Sequence, residues 1–253
     1  MKSLGDRMKE YERVPDIRLM RRTPVVVRID GRHFHSYTRG FDKPFDPVFS
    51  GAMRDTTANL CKNIQGCILG YTQSDEISLV LCDYKHLESQ AWFDNRLQKI
   101  VSVSAAMATK YFNTAMELRL DGVLVEEDSD DVIKEYIEKY AKSIAAGAEF
   151  DARAFNLPKE EVCNYLIWRQ QDAERNSILA LAQSLFSHSE LQGISCKRLQ
   201  DKMFSEKGVN WNDLHSFEKR GVFVVGDWIY PETPRFIDKR VLIESMVNCV
   251  EEG

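Results

Sequence analysis

The feature that most constrains the fold of this chain is a short run of β-branched residues near the N-terminus. Residues 25–29 read Val-Val-Val-Arg-Ile. Pro24 precedes this run, and Gly31 follows it after Asp30. A continuous run of this kind is typical of a strand buried on both faces, because apolar and polar residues do not alternate along it. Asp30 closes the run, so we predict a strand that presents a carboxylate at its C-terminal end.

A second acidic element lies in a predicted β-hairpin. Residues 66–71 and 77–82 form two short apolar runs, and a polar segment separates them. This pattern predicts two paired strands whose turn presents Ser74, Asp75 and Glu76. The chain therefore carries carboxylates at the ends of two separate strands.

These two acidic strand ends predict a site for divalent metal ions. Each aspartate alone is as readily explained as a helix cap or a turn residue, but Asp30 and Asp75 together favour a shared site. Hard cations take oxygen ligands from more than one element, so the two side chains can bridge a pair of Mg²⁺ ions about 4 Å apart, with the carbonyl of Gly31 completing a shell. Such a pair of ions activates an attacking oxygen and neutralises a leaving pyrophosphate. Nucleotide chemistry is the predicted function.

Basic residues near the acidic sites supply candidate contacts for phosphate groups. Gly31 has no side chain and therefore permits close phosphate approach. Each basic residue alone is more often a solvated surface group, so the indication rests on their clustering around the acidic sites in the sequence. These residues are Arg28, Arg32, Lys43, Arg96 and Lys99.

The remaining pattern predicts an α+β protein. Pro47 follows Asp46, which is typical of a helix that begins with Asp46 as its N-cap. A strand is expected over residues 148–155, and a hairpin with a two-residue turn at Gly226-Asp227 joins strands at 222–225 and 228–230. Helices are expected over residues 47–62, from about 88 to 118, from 132 after the acidic stretch 126–131, and from 159 to about 187.

Composition restricts the class of partner and the compartment. The formal net charge of −5 argues against non-specific coating of nucleic acid, although a local basic face is compatible with it. No apolar run of about 18 residues is present and residues 1–22 lack the apolar core of a signal peptide, so a cytoplasmic protein without a membrane partner is predicted. The cysteines, without a Cys-x-x-Cys pair, are interpreted as buried reduced thiols. They are Cys61, Cys67, Cys82, Cys163, Cys196 and Cys249.

Other residues that attract attention have plainer interpretations. His33 and His35 form a His-x-His pair, but no third ligand with suitable spacing is evident, so nucleotide proximity or packing is favoured over a transition metal. Trp168, Trp211 and Trp228 have rings on which bases stack, but aromatic residues at helical or strand spacing are more often core residues. Packing roles are therefore predicted for all three.

Several ordered motifs carry a resemblance to a known family. They are Arg-Ile-Asp-Gly-Arg at 28–32, Phe34-His35, Lys43-Pro44, Gln-Ser-Asp-Glu at 73–76, Trp92-Phe93 ahead of Arg96 and Lys99, and Trp-Arg-Gln-Gln-Asp at 168–172. Together they resemble the tRNA(His) guanylyltransferase superfamily over roughly residues 1–215. Within it, the chain is most similar to the bacterial and archaeal guanylyltransferase-like proteins.

The resemblance implies a polymerase-like palm domain, a ferredoxin-like antiparallel sheet with packed helices, that adds nucleotides to the 5′ end of tRNA. Residues 1–135 would form the catalytic palm core. Residues 136–253 would form the remainder of the palm with C-terminal helices and a β-hairpin, as one integrated unit. In such enzymes ATP activates a 5′-monophosphate, and the 3′-hydroxyl of an incoming nucleoside triphosphate such as GTP then attacks, so growth runs 3′ to 5′. Family members assemble as tetramers, which implies a homotetramer here.

The resemblance also implies roles for particular residues. Asp30 and Asp75 would bind two Mg²⁺ ions with the carbonyl of Gly31, and Glu76 would support this catalytic site. Nucleotide contacts are implied for Gly31, Arg32, His33, Phe34, His35, Lys43, Ser74, Arg96 and Lys99. For tRNA phosphates the candidates are basic residues of the C-terminal third, including Lys197, Arg198, Lys202 and Lys207.

One motif departs from the family pattern. Eukaryotic members that add a single guanosine to histidine tRNA carry His-Ile-Asn-Asn after the Arg-Gln-x-Asp motif, whereas residues 174–177 here read Glu-Arg-Asn-Ser. The departure favours template-dependent repair of 5′-truncated tRNA over addition of an untemplated guanosine. Two other readings stay open. One is a palm-type nucleotidyl cyclase such as a diguanylate cyclase, although Gln73-Ser74 replaces the Gly-Gly that leads into its acidic turn. The other is a non-catalytic tRNA-binding protein.

Overall fold

A single six-stranded antiparallel sheet organises the protein, and it confirms the predicted α+β class. The computed structural model describes residues 2–127 and 129–248. The strand order is β4-β1-β3-β2-β5-β6. The strands are β1 Val25–Arg32, β2 Cys67–Gln73, β3 Glu76–Leu81, β4 Glu149–Asn156, β5 Val222–Val225 and β6 Trp228–Ile229.

Helices surround this sheet. They are α1 Leu4–Arg13, α2 Phe34–Tyr37, α3 Pro47–Asn63, α4 Leu97–Glu126, α5 Asp130–Ala146, α6 Lys159–Leu185, α7 His188–Leu191, α8 Cys196–Lys207, α9 Ser216–Arg220 and α10 Arg240–Val247. Short 3₁₀ turns lie at Trp92–Asn95, Trp211–Asp213 and Phe236–Asp238. Asp46 caps α3 by accepting a hydrogen bond from the amide of Phe49, and Pro47 takes the first position of α3, as predicted.

Helices cover both faces of the sheet, which is why β1 has no alternation of apolar and polar residues. Val25, Val27 and Ile29 are buried in a core with residues of α3 and α4. On the opposite face Val26 is buried in a second core, built with residues of α6 and α10. The prediction of a strand buried on both faces is confirmed.

Some predicted boundaries were wrong. The β2–β3 turn contains only Ser74 and Asp75, because Gln73 and Glu76 are paired across the hairpin and Glu76 is therefore part of β3. The predicted helix from about residue 88 instead begins at Leu97 and extends to Glu126. Left-handed backbone angles at residues 93–95 interrupt the helical pattern before that point.

The acidic stretch 126–131 leads into a helix, as predicted. This helix, α5, begins within the stretch at Asp130 rather than at residue 132. Asp130 and Asp131 lie in the first turn of the helix, where carboxylates interact favourably with the helix dipole. Asp128 lies outside the described residues.

The cysteine and membrane predictions can be compared with the described part of the chain. The thiols of Cys61, Cys82 and Cys163 are free and buried, whereas those of Cys67 and Cys196 are free and partly exposed. Cys249 lies outside the described residues. None of the helices described is long and apolar enough to cross a membrane.

Both of the predicted segments contribute to the one sheet. Strands β1, β2 and β3 come from residues 1–135, whereas β4, β5 and β6 come from residues 136–253. β4 pairs with β1 along all eight of its residues, from Glu149 opposite Arg32 to Asn156 opposite Val25. The division at residue 135 therefore does not follow the sheet.

Candidate active site

The sheet brings the two predicted acidic strand ends together. In the register of β1 and β3, Asp30 lies opposite Glu76. The amide of the next residue, Gly31, donates a hydrogen bond to the carbonyl oxygen of Asp75 at 3.0 Å. Asp30 and Asp75, hereafter the acidic pair, therefore lie at the same corner of the sheet.

The position of Asp75 depends on a strained turn. Ser74 has a φ of 50°, in the left-handed region that residues other than glycine rarely adopt. Burial raises the pKa of the Asp75 carboxyl, and the nearby charge of Asp30 raises it further, whereas hydrogen bonds from its own backbone and from Ser74 oppose the shift. A buried carboxylate beside a second carboxylate forms a site that favours a cation.

Glu76 has a different environment from the acidic pair. Its carboxylate is buried and accepts two hydrogen bonds from Arg169, at 2.7 Å and 2.9 Å. Arg28 donates to the same carboxylate at 2.5 Å. Burial raises the pKa of Glu76, and the two arginines oppose this shift. Glu76 is thus paired internally, and it supports the corner of the sheet through Arg28 and Arg169.

The arginines extend this ion-pair network in two directions. Arg169 also binds Asp172, one turn further along α6, at 2.9 Å. Arg28 approaches Asp30 with 3.3 Å between Nε and Oδ2, and Arg153 of β4 binds the same carboxylate at 3.0 Å. Two positive side chains therefore lie beside Asp30.

Sequence reasoning missed the roles of Arg153 and Arg169. Arg169 belongs to the Trp-Arg-Gln-Gln-Asp motif, and its place in that motif was the available signal. Nothing in the local sequence distinguishes Arg153, because its proximity to Asp30 depends on the pairing of β1 with β4.

A cleft of about 520 Å³ opens beside Asp75. Among its lining residues are five of the predicted site residues, namely Phe34, His35, Lys43, Ser74 and Asp75. The residues 38–46, hereafter the 38–46 loop, form much of one wall, and Ala173, Asn176 and Ser177 of α6 form part of another. The cleft is within the size range of pockets that bind small molecules.

Helix α5 anchors the 38–46 loop. The buried carboxylate of Asp46 accepts hydrogen bonds from the amides of Phe49 at 2.9 Å and Asp42 at 3.0 Å, and from the hydroxyl of Tyr140 at 2.7 Å. Lys139, also on α5, binds Asp42 at 2.8 Å. Burial raises the pKa of Tyr140, as does its hydrogen bond to Asp46, so its hydroxyl stays a donor. Sequence reasoning did not single out this contact.

Gly31 is required for the packing of this corner of the sheet. A Cβ atom at this position would lie 2.3 Å from the ring of Phe34. That ring is buried against Tyr37, Phe112 and Phe150, with ring centroids 5.1 to 5.4 Å apart. A side chain at position 31 would therefore displace the buried ring of Phe34.

Two other residues with predicted nucleotide contacts, Arg32 and His33, are not among the residues that line the cleft. Arg32 is exposed and binds Glu149 at 2.8 Å across the β1–β4 pair. His33 is exposed, has a φ of 57° and precedes α2. Neither residue lines the cleft, and their roles stay predictions.

Within one chain, Arg96 and Lys99 lie away from the acidic pair. The carbonyl of Met20 accepts hydrogen bonds from the side chains of Asn95 and Asn156, each at 3.1 Å. Asn156 lies opposite the first residue of β1, whereas the acidic pair lies near its other end. The start of α4 therefore lies at the far end of the sheet, and the implied triphosphate contacts of these two residues are untested.

The predicted RNA contacts lie together on α8. Lys197, Arg198 and Lys207 are exposed, and Lys202 is partly buried and pairs with Glu206 at 2.8 Å. Their shared helix is compatible with a phosphate-binding face, and the role stays a prediction.

The prediction that three tryptophans are core residues was wrong for two of them. Trp168 and Trp228 are exposed, with 52% and 62% of their surface accessible. Trp211 is partly buried and donates a hydrogen bond to the hydroxyl of Ser177 at 2.9 Å. Trp168 lies on the exposed side of α6 and Trp228 on the two-residue strand β6, placements that helical or strand spacing alone does not reveal.

The acidic pair offers the carboxylate oxygens that Mg²⁺ prefers as ligands. In the part of the chain that the structure describes, no group of three or more His, Cys, Asp or Glu side chains is arranged to hold a metal ion. Mg²⁺ nevertheless needs only one or two carboxylates, because it keeps several waters and takes further ligands from phosphates. The carboxylate oxygens of Asp30 and Asp75, which lie at the same corner of the sheet, fit this ion.

The fold and the site define a nucleotidyltransferase of the polymerase-palm type. Its elements are an antiparallel sheet, an acidic pair at one corner and an adjacent cleft. The sequence model described as Thg1, tRNAHis guanylyltransferase, matches residues 5–158. The chain belongs to this family and is a transferase that acts in tRNA processing by nucleotide addition.

Similar proteins have been solved and described. A bacterial tRNA(His) guanylyltransferase (Thg1)-like protein in complex with ATP is 46% identical, with a TM-score of 0.85, and the match covers 97% of this chain and 99% of that one. A bacterial Thg1-like protein in complex with GTP is 40% identical, with a TM-score of 0.79 and the same coverage. The tRNA(His) guanylyltransferase of Schizosaccharomyces pombe is 27% identical over 87% of this chain and 79% of its own length.

Proposed function

We propose that this protein adds nucleotides in the 3′ to 5′ direction to the 5′ end of truncated tRNA, guided by the opposite strand as template. The cleft that opens beside Asp75, one member of the acidic pair, is the observation that carries this proposal. It is supported by the similarity to bacterial Thg1-like proteins solved with ATP and with GTP. ATP would activate a 5′-monophosphate, and a triphosphorylated end would not need this step.

Mg²⁺ would be held by Asp30, Asp75 and the carbonyl of Gly31. When bound, the ions would neutralise the charge of the triphosphate and of the leaving group. Arg28 and Arg153 contact Asp30, so they orient this carboxylate and balance its charge while no cation is present. Glu76 would act indirectly, since its carboxylate is already paired with Arg169.

The nucleotide would occupy the cleft. Lys43 of the 38–46 loop and Ser74 of the β2–β3 turn line the cleft and would contact phosphate oxygens. Phe34 and His35 line the same space and would lie near the nucleoside. This division of roles needs no covalent intermediate on the protein, because phosphoryl-type transfer depends mainly on positioning and charge neutralisation.

Residues 174–177 favour repair over guanosine addition to histidine tRNA. Asn176 and Ser177 line the cleft, so the tetrapeptide that departs from the eukaryotic pattern contacts the proposed nucleotide site. Glu174 instead approaches Arg220, with 3.7 Å between charged atoms. A homotetramer, as the resemblance implies, would let an acidic chain assemble a basic surface for tRNA from several subunits.

Substitution of the acidic pair tests the reaction. Asp30→Asn and Asp75→Asn should each lower the rate of nucleotide addition to a 5′-truncated, monophosphorylated tRNA by about 100-fold or more, since metal charge stabilisation is worth several kcal/mol. Asp151→Asn is the matched control, because Asp151 lies opposite Asp30 on β4 but is exposed. Parental rates in either test variant would overturn the assignment.

The choice of RNA tests the repair function. Extension rates should be higher for tRNAs that lack one or two 5′ nucleotides than for full-length histidine tRNA. Preference for full-length histidine tRNA would instead assign guanosine addition. Two further arms test the other readings: cyclic dinucleotide made from GTP without RNA indicates a cyclase, and tight tRNA binding without incorporation indicates a binding protein.

A further inference from the structure

Trp168 is an exposed aromatic ring in an unusual place. It lies on the outer side of α6, where about half of its surface is accessible. The guanidinium of Arg169 lies 4.3 Å from the centre of the indole ring, and the ring of Tyr165 packs against it at 5.9 Å. These contacts hold the indole in place and leave much of it open to solvent.

The contacts of Arg169 relate this ring to the acidic pair. The same guanidinium that lies against the indole binds Glu76, and Glu76 lies opposite Asp30 in the sheet. Trp168 is therefore separated from the catalytic corner by a single side chain. Asn176, which lines the cleft, is eight residues further along α6, about 12 Å at the rise of an α-helix.

Positive charge accompanies the exposed ring. Arg153, which binds Asp30, and Arg175, which binds Asp172, are both more than half exposed. Phe155 of β4 packs against Tyr165, so α6 lies over β4 at this point and brings Arg153 to the same side. An exposed aromatic ring with arginines around it is the arrangement on which proteins stack the bases of single-stranded nucleic acid.

We propose that Trp168 is a stacking platform for a nucleobase at the end of the RNA substrate. This inference rests on the proposed function. If the nucleotide fills the cleft, the RNA end has to reach the acidic pair from the side that the cleft leaves open. Trp168 lies on α6 at the level of Glu76, on the solvent side, with Arg153 and Arg175 placed for the adjoining phosphates.

Three variants distinguish the loss of base stacking from the loss of apolar side-chain volume. Trp168→Leu keeps an apolar side chain but removes the ring, whereas Trp168→Phe keeps a ring. Trp228→Leu is the control, because Trp228 is equally exposed but lies in the β5–β6 hairpin. The dissociation constant for a 5′-truncated tRNA should rise about tenfold in Trp168→Leu, within the range for loss of one stacked base. It should stay within about threefold of the parent in Trp168→Phe and unchanged in Trp228→Leu.

Two measurements keep the test independent of folding and of catalysis. The affinity for ATP, measured without RNA, should be the same in all variants. Addition of tRNA should quench tryptophan fluorescence in the parent more than in Trp168→Phe, because a stacked base quenches the indole directly. Equal tRNA affinity in Trp168→Leu and the parent, or equal quenching in Trp168→Phe and the parent, would overturn the stacking platform.

Failure of this inference differs from failure of the proposed function. If the parent extends truncated tRNA but the Trp168 variants bind it normally, the stacking platform alone is wrong. If the parent extends no RNA, the proposed function is wrong, and tRNA affinity that depends on Trp168 would still support a base-stacking site.

Discussion

The two walls of the cleft are held by different forces. The α6 side is fixed by charge, through the pairing of Glu76 with Arg28 and Arg169. The 38–46 loop is instead fixed by the buried carboxylate of Asp46, which accepts two amide hydrogen bonds and one from Tyr140. From this comparison we expect that removal of the buried charge of Arg169 lowers the stability of the whole fold. Removal of the hydroxyl of Tyr140, a neutral donor, should affect mainly the 38–46 loop.

The largest effect is expected on the charged wall. Arg169→Met would leave the buried carboxylate of Glu76 with Arg28 alone, and loss of one partner from a buried ion pair typically costs about 3 kcal/mol or more. For a chain of this size the melting temperature should fall by roughly 6 to 12 °C. Thermal unfolding, monitored by circular dichroism, measures the change.

Two further variants show whether the lost stability comes from the uncompensated charge. Arg175→Met removes an exposed arginine from the same helix and should change stability by about 0.5 kcal/mol or less. Glu76→Gln, combined with Arg169→Met, should recover part of the loss, because no buried charge is left unpaired. A double variant no more stable than Arg169→Met would remove the distinction between the two walls.

An intermediate effect is expected on the hydrogen-bonded wall. Tyr140→Phe removes one hydroxyl and keeps the ring that packs against Phe41. Loss of a hydrogen bond to a charged group should cost about 1.5 kcal/mol. Because the 38–46 loop lines the cleft, KM for the nucleoside triphosphate should rise several-fold while kcat stays near the parental value.

Tyr84→Phe is the control for this loop effect. Tyr84 is also buried, and its hydroxyl accepts from the thiol of Cys82, but it does not line the cleft. It should lose stability without a change in KM. If Tyr140→Phe and Tyr84→Phe have the same KM, α5 does not position the loop.

The smallest effect is expected for Lys139→Met. Lys139 pairs with Asp42 at the edge of the loop, where about half of the Asp42 side chain is exposed. The hydrogen bond to Asp42 raises the pKa of Lys139, so the ammonium group of Lys139 stays charged at neutral pH. Partly exposed pairs contribute little, and a loss of about 0.5 kcal/mol is expected, weaker still in high salt. A loss as large as that of Tyr140→Phe would show that an ion pair, as well as the hydrogen bonds to Asp46, holds this wall.

Local signals in the sequence were sufficient to predict the strands and the acidic pair. The run at residues 25–29 predicts β1, and Gly226-Asp227 predicts the β5–β6 turn. Asp46-Pro47 predicts the start of α3. In each of these cases the determining residues are neighbours in the chain. Asp30 and Asp75 lie at the same corner because Asp30 is near the end of β1 and Asp75 directly precedes β3, which pairs with β1.

Contacts between segments that are distant in the sequence could not be predicted from local signals. The partners of Glu76 depend on α6 crossing the sheet, and the anchor of the 38–46 loop depends on α5 packing beside it. The placement of Arg96 away from the acidic pair has the same origin, since proximity in sequence to other basic residues says little about the end of the sheet at which α4 begins. Exposure of Trp168 likewise depends on what α6 packs against.

The strand order has a consequence for how the protein is made. Val25 pairs with Asn156, and Thr72 pairs with Val222, so both neighbours of the three N-terminal strands arrive late during synthesis. A nascent chain that ends before α6 has an unpaired sheet edge and a glutamate at position 76 without its main counter-charge. Closing such distant contacts is slow. The corner that carries the chemistry is thus expected to be among the last parts of the molecule to mature, and nascent chains to be exposed to aggregation until then.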